Sequence, residues 1–487
     1  MGEHLSRRSF IRLAATASPV VVIGFDPSAR SWITRARADT GRWEDLPKLD
    51  GSLLQDEASR QASAVDRGNM FHHVPTAVLK PGSVQDVVAM VRFANHHALK
   101  VVMKGQGHSR YGQTQAEAGI VIDSSTLNRV ERPIDRSIDA QAGAFWGDVA
   151  EISLADGLIP PVMPDTMTLS VGGTLSVGGL GTTSQHFGAQ VDNVAELEVV
   201  TGDGRLLVCS PTRESDLFDM TLAGMGQCGI IVRARLTLMP VRSHVVLQSL
   251  VYEDLDAYLA DQHRLAVDGR FDHQSGAAVR SNDGKWTFTL VVGGVYTPPE
   301  EPDLAAMTRD LRPTSRKAPV HLAQRDYQHR NTERNAAFEK DWKAGRLSPN
   351  IAMWIPASAT KEFAASFLAL PPEQSALSFF PFGTINTKRF RRPLFKVPSE
   401  DVAFTMWLFR SVAPGQQAAL SALLESNRAL LARMTAVGGK RYLPYSMIIP
   451  QSEWVEHFGP DVWQRFAKAK KEYDPNGVLT PGTRMFG

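Results

Sequence analysis

Gly105-Gln-Gly-His-Ser-Arg-Tyr-Gly-Gln113 sets a histidine and a serine inside a run of three glycines. Glycines leave consecutive backbone N–H groups free to converge on an anion, and the Ser109 hydroxyl adds a donor, so the loop suits a phosphate-bearing cofactor. A Gly-x-Gly turn is weak evidence alone, because purely structural turns of this kind are common. It also departs from the dinucleotide fingerprint: His108-Ser109-Arg110-Tyr111 separates Gly107 from Gly112, and no helix pattern follows. A second cluster, Val171-Gly-Gly-Thr-Leu-Ser-Val-Gly-Gly-Leu-Gly181, is too glycine-dense for an ordinary strand or helix and fits backbone lying flat against a planar ligand; a run of tight turns is the plainer reading. Between the two clusters, Asp165 follows the stiff apolar stretch Pro160-Pro-Val-Met-Pro164. Burial there would raise its pKa and make it the best candidate for a general base; the alternative is a turn or cap before Thr166-Met-Thr168, a common use of Asp.

The elements that must hold these groups begin with Thr76-Ala-Val-Leu79, a strand, and the turn Lys80-Pro-Gly-Ser83. Ser83 with Asp86 resembles a capping box, and Val84, Val87, Val88, Val91 and Ala94 form one apolar stripe of a helix that ends near His96-His97. Lys100-Val-Val-Met103 restarts as a buried strand and delivers the chain into the glycine loop. From Ile120 to Pro240 short strands alternate with glycines: Ile120-Val-Ile122, Glu196–Val200, Leu206–Val208 and Ile230–Leu236, with Thr201-Gly-Asp-Gly204 as a hairpin turn. This predicts a mixed, mostly antiparallel sheet. A second composition runs from about Val241 to Thr435. It contains the alternating strand Trp286–Val292, a break at Thr297-Pro-Pro-Glu-Glu-Pro302, a charged stretch around Arg325–Arg346, and an amphipathic helix with Leu420, Leu423, Leu424, Leu430, Leu431 and Met434 inward and Gly438-Gly439 as its stop. It reads as a domain inserted into the first.

At 487 residues the chain predicts two to three domains, and 53 Lys and Arg against 51 Asp and Glu give no reason to expect nucleic acid as a partner. Residues 1–38 have the order of an export signal: Arg7-Arg8 followed by Phe10-Ile11, an apolar stretch from Leu13 to Phe25 and a small-residue site at Ala36-Arg-Ala38. The twin arginine fits the Tat route for folded cargo, hence a periplasmic or extracellular protein; the apolar stretch is too short and broken to span a membrane. Cys209 and Cys228 are the only cysteines, and buried free thiols are the commoner outcome for such a pair. No cysteine pattern or His-Glu-x-x-His helix suggests a metal.

Thr76–Val88, the Gly-x-Gly-His-Ser loop and the Val-Gly-Gly-Thr-Leu-Ser segment resemble the FAD-binding domain of the vanillyl-alcohol-oxidase-like (PCMH-type) flavoproteins, and within them the cytokinin dehydrogenases. Gly112-Gln113, Asp165 six residues before Val171, Asp216-Leu-Phe-Asp219 before Ala223-Gly-Met-Gly-Gln-Cys-Gly229, Tyr442-Leu-Pro444 and Thr480-Pro-Gly-Thr483 carry the likeness, which brackets the chain from about residue 70 to its end. The resemblance implies an α+β fold: a two-subdomain PCMH-type FAD-binding domain over 39–241 (PCMH-type part about 70–242), an inserted α+β substrate domain built on an antiparallel sheet over 242–435, and a return to the first domain over 436–487, after the twin-arginine signal of 1–38. It implies an enzyme with FAD held by a single covalent bond through His108; no cysteine for a second bond lies between Gly105 and Val208. Asp165 is implied as the catalytic base and a cofactor neighbour. Gly105, Gln106, Gly107, Ser109, Gln113, Ser170, Ser176, Leu180, Ile231, Tyr442, Thr480 and Thr483 are implied as the other cofactor-binding residues.

Gln106 stands where the family has Arg, and Thr483 where it has Gln. The pocket-lining Trp of the family's Pro-Trp-Leu-Asn run has its best counterpart in Asn350 of Pro349-Asn-Ile-Ala352. The activity implied is oxidation of a C–N bond in a small N-substituted amine, in its fullest form an N6-alkyl adenine going to adenine and an aldehyde, with oxygen or a quinone as electron acceptor. An alcohol or sugar oxidase of the same superfamily, or a flavin-binding protein without turnover, are the alternatives. Lys388-Arg-Phe-Arg-Arg392 suits an anionic acceptor or membrane headgroups but reads first as a solvated loop.

Overall fold

A computed structural model of the chain describes residues 45–371 and 377–486, together with the backbone of an antiparallel ribbon, Val20–Asp26 with Ser31–Ala36. Arg7-Arg8 and most of the export signal expected over 1–38 lie outside the described residues.

The first sheet joins Ser52–Leu54, Ala77–Lys80, Ile120–Asp123 and Val101–Lys104 in that spatial order. Ala77–Lys80 and Val101–Lys104 both run parallel to Ile120–Asp123. Ile120–Ile122 therefore belongs here and not with the antiparallel strands that follow it in sequence. The reason is burial on both faces: Ile120, Val121 and Ile122 are all fully buried, as parallel strands require, and a continuous apolar run carries no alternation to name its partner.

The helix Val84–His96 packs Val87, Val88, Met90, Val91, Phe93 and Ala94 against this sheet. Ser83 caps it, its hydroxyl accepting from the Asp86 N–H. Asp86 does not complete a capping box. Its buried carboxylate accepts instead from the backbone N–H groups of Asp50 (2.8 Å), Gly51 (2.7 Å) and Gly82 (2.8 Å), tying the chain ahead of the first strand to the helix start. Three backbone donors lose their charged acceptor together in Asp86→Ala, which is expected to destabilise the protein by about 2 kcal/mol, measured as a lowered denaturant midpoint.

The second sheet is antiparallel, in the order Leu206–Cys209, Val194–Val200, Ile230–Thr237, Ser137–Gln141, with the hairpin at 201–204 as expected. Cys209 and Cys228 are both buried free thiols. The third sheet has nine strands drawn from His244–Tyr252 through Lys440–Arg441 and is antiparallel at every pairing. Alternation sorts its two faces. Val246, Leu250, Phe288, Leu290, Phe404 and Met406 form a core with the helices Leu255–Asp268, Ala357–Leu368 and Gln417–Ala436. Ser249, Thr289, Val291, Thr405 and Trp407 face the other way, into a cavity.

After the helix Pro460–Tyr473 the chain returns to the first sheet. Val101 N–H donates to the Val478 carbonyl (2.9 Å), and Thr480 N–H to that of Val101 (2.8 Å). Buried Asp474 locks this return, accepting from the N–H groups of Val478 (2.8 Å) and Leu479 (2.9 Å) and from Lys470 Nζ (2.6 Å).

Lys388–Arg392 is only partly a solvated loop. Arg392 pairs with Asp219 (3.0 Å) and lies over the Phe218 ring, Arg391 N–H donates to Asp192, and Phe390 stacks on Phe395. Half of the basic run is thus spent on joining the 379–395 segment to the glycine-rich half.

Candidate active site

The glycine loop leaves the end of Val101–Lys104 and is pinned on both sides of His108. Arg67 N–H donates to the Gly107 carbonyl (2.9 Å), Gly112 N–H to buried Asp66 (2.7 Å), and Arg110 N–H to the Pro444 carbonyl (2.9 Å). Gly107 sits at φ +64°, a conformation that disfavours a side chain, and a Cβ on Gly105 would come within 2.2 Å of Ser170 Oγ. The loop and the second glycine cluster are therefore in contact, as a shared ligand surface needs.

Together they open on a cavity of about 1110 Å³, bounded on the far side by the nine-stranded sheet. His108, Asp165, Gly105, Gln106, Gly107, Ser109, Gln113, Ser170, Ser176, Leu180, Ile231, Tyr442, Thr480 and Thr483 all line it. Every candidate catalytic and cofactor-binding residue expected from the sequence is thus brought to one space. The volume exceeds that of an ordinary small-ligand pocket, leaving room for a large cofactor and a substrate together.

The lining fits FAD. The backbone N–H groups of Gln106, Gly107, His108 and Ser109 find no acceptor among the described residues, which leaves four donors of one loop for an anionic group. Gln113 spends its Nε2 on the carbonyls of Leu443 (3.0 Å) and Ser446 (3.1 Å), while its buried Oε1 has no partner there. The two departures from the family pattern fare differently. Gln106 remains on the loop facing the cavity, whereas Thr483 Oγ1 is engaged, accepting from Gln227 Nε2 (2.9 Å).

Burial pushes the His108 imidazole down to about 3, with the Arg67 and Arg110 charges adding to the effect. The ring is neutral throughout the working range and keeps a lone pair. Behind the wall, burial takes His273 to about 3 as well, helped by Arg330. A histidine held neutral in the fold but protonated near pH 6.5 when unfolded adds stability that is complete above that pH and is lost as pH falls towards 3. His273→Gln should therefore flatten the acid loss of stability by about 1.4 kcal/mol per pH unit between pH 6 and pH 4, read from denaturant midpoints relative to the parent.

Asp165 departs from its expected setting. Val162 and Pro164 are buried, but the Asp165 side chain is 47% exposed and pairs with Arg330; Asn335 Nδ2 donates to its carbonyl (3.3 Å). The rigid proline stretch fixes the backbone without burying the carboxylate. Arg330 and Asn335 come from the helices Gln324–His329 and Thr332–Lys343 and the turn between them, a strap laid across the cavity mouth. The strap is tied to the glycine-rich half at its other end by Arg67, which pairs with Glu339 and lies 4.2 Å over the Trp342 ring, and by Trp342 Nε1, which donates to the Asp66 carbonyl (3.0 Å). The sequence pointed only to a charged stretch here. Thr332–Lys343 has no buried side chain, so no apolar stripe marked it as part of a site.

Asn350 lines the cavity and is 5% exposed, with Oδ1 unpartnered among the described residues. Aromatic surface comes instead from Trp407, Tyr442 and Tyr445, whose ring centroids lie 5.2 to 6.1 Å apart. Burial holds the Tyr442 phenol well above its usual range, so it stays protonated.

Residues 75–210 match the family model described as an FAD binding domain, and residues 322–486 the one described as cytokinin dehydrogenase 1, FAD and cytokinin binding. The chain is 32% identical to an uncharacterized oxidoreductase, ORF5 in the fasciation locus of Rhodococcoides fascians, over 90% of this chain and 99% of that one. It is also 32% identical to cytokinin dehydrogenase 9 of Oryza sativa subsp. japonica, over 90% of this chain and 91% of that one. Among solved structures it resembles 6-hydroxy-D-nicotine oxidase from Arthrobacter nicotinovorans with a TM-score of 0.69 at 20% identity, covering 88% of this chain and 96% of the other, a likeness of fold.

Proposed function

Because the chain belongs to the cytokinin dehydrogenase family of FAD-dependent oxidoreductases, we propose that it oxidises the C–N bond of a small N-substituted amine, with an N6-alkyl adenine as the reference substrate. The observation that carries the reading is the meeting of Asp165 with the His108 loop and the Ser170–Gly181 segment around one cavity. FAD, when bound by the His108 loop and the Ser170–Gly181 segment, would supply the hydride acceptor for the carbon next to nitrogen. Asp165 supplies the other half: its carboxylate orients the amine N–H and accepts the proton as the C=N bond forms. The imine then takes up water and separates into adenine and an aldehyde. Trp407 and Tyr442 offer flat apolar surface for a planar base, and the unpartnered Asn350 Oδ1 sets a different edge from the tryptophan expected of the family.

Gly105, Gln106, Gly107, Ser109, Gln113, Ser170, Ser176, Leu180, Ile231, Tyr442, Thr480 and Thr483 are assigned to the FAD contacts, and His108 to its single covalent bond. Residues 39–241 and 436–487 are assigned to the flavin half, 242–435 to the substrate half, and 1–38 to a twin-arginine signal that delivers the folded protein to the periplasm or beyond. Oxygen or a quinone is the acceptor in this reading. Anaerobic spectroscopy of the purified protein with isopentenyladenine tests it. Bleaching of the flavin band is expected; an unbleached band would sink the cytokinin reading and leave the flavin assignment intact.

A further inference from the structure

We propose that Arg330 is the positioning residue for Asp165 and that the pair confines the site to amines that arrive uncharged, an inference that rests on the amine-oxidation reading above. Arg330 is fixed from three directions. Nη2 bonds Asp165 Oδ1, Nη1 donates to the Tyr327 carbonyl (2.9 Å), and the guanidinium lies 4.0 Å over the Tyr327 ring. The Tyr327 hydroxyl is itself held within hydrogen-bond distance of Thr182 Oγ1 (2.8 Å) and His273 Nδ1 (3.0 Å), both from the opposite wall.

This has two consequences. Asp165 lines the cavity; its Oδ1 is committed to Arg330, whereas Oδ2 takes no hydrogen bond from the described residues. One oxygen is anchored, the other is free for a substrate N–H, so the rotation of a half-exposed carboxylate is frozen in a receiving orientation. The second consequence concerns charge. An ammonium entering the cavity loses its hydration, and a carboxylate already paired with a guanidinium gives no net negative charge in return. Arg334, one turn further along the strap, also lines the cavity and pairs with no acid among the described residues. A protonated dialkylamine is disfavoured, while an arylamine or heteroarylamine, neutral at pH 7 because its lone pair is delocalised, is not.

The test uses the holoenzyme in anaerobic stopped-flow reduction of its flavin by isopentenyladenine, by N-benzylaniline as a second neutral arylamine, and by N-methylbenzylamine as a cationic probe. Arg330→Gln should slow the limiting rate at least 30-fold while changing the half-saturating concentration less than threefold, and should narrow the preference for the neutral probes at least tenfold. Arg330→Lys should return the rate to within about fivefold of the parent. Equal flavin content and near-UV spectra among the variants establish that the fold is kept. Arg330→Gln within threefold of the parent on the same amine, or no rescue by lysine, overturns the Arg330 assignment alone. Reduction of the parent by N-benzylaniline but not by isopentenyladenine removes the adenine reading and leaves Arg330 to be judged on the arylamine. A parent reduced only by the cationic probe, or by neither class, overturns both.

Discussion

Asp165→Asn is expected to lower the anaerobic rate of flavin reduction by about 10²- to 10⁴-fold, the range set by loss of a positioned general base. The amide is nearly the same size and can still touch Arg330 through its oxygen, so the cavity keeps its shape; what goes is a group able to take a proton. Binding should suffer little, with the half-saturating amine concentration within about tenfold of the parent. Asp165→Glu should fall between the two, since it restores the carboxylate but shifts it along a longer side chain away from Arg330. A rate for Asp165→Asn within threefold of the parent would move the base elsewhere and return Asp165 to the role of a turn residue before Thr166.

His108→Ala is expected to abolish covalent flavin altogether. Parent protein precipitated with acid should keep its yellow colour in the pellet, and the variant should release it to the supernatant. The environment of His108 makes a further demand on the result. Because burial holds its imidazole neutral down to about pH 3, the extent of attachment during reconstitution of apoprotein should stay flat from pH 8 to pH 5. A midpoint near 6.5 in that profile would mean an imidazole in contact with bulk water. Retained flavin in His108→Ala would show that a different side chain carries the bond.

The parts of the site written in glycine were legible from the sequence. Gly105–Gln113 and Val171–Gly181 declare themselves because such density has few uses other than close backbone approach, and the structure does bring them to one cavity with Tyr442, Thr480 and Thr483 from the distant end of the chain. Asp165 could be located but its setting could not. Burial was inferred from its apolar neighbours, and whether a side chain at the end of a proline stretch turns inward is decided by what crosses in front of it. Arg330 and Asn335 do so from about 165 residues away, and Thr332–Lys343, which carries Asn335, has no buried side chain, so periodicity had nothing to report there. The short strand Ile120–Asp123 was legible as a strand and illegible in its partner, because a run buried on both faces has no polar side to set its register.

The return of the chain to Val101 has a consequence for the order of assembly. The strand that presents the His108 loop has Ile120–Asp123 on one side and, among the described residues, only the segment 478–480 on the other, and that segment is locked in place by Asp474 and Lys470. Contacts separated by more than 370 residues form late, after the entropy of closing so large a loop has been overcome. Nascent chains halted before residue 474 will therefore leave this edge unpaired and the wall at Thr480 and Thr483 unbuilt. A variant cut before Asp474 is therefore expected to bind less flavin than the parent, read from the absorbance of the purified proteins.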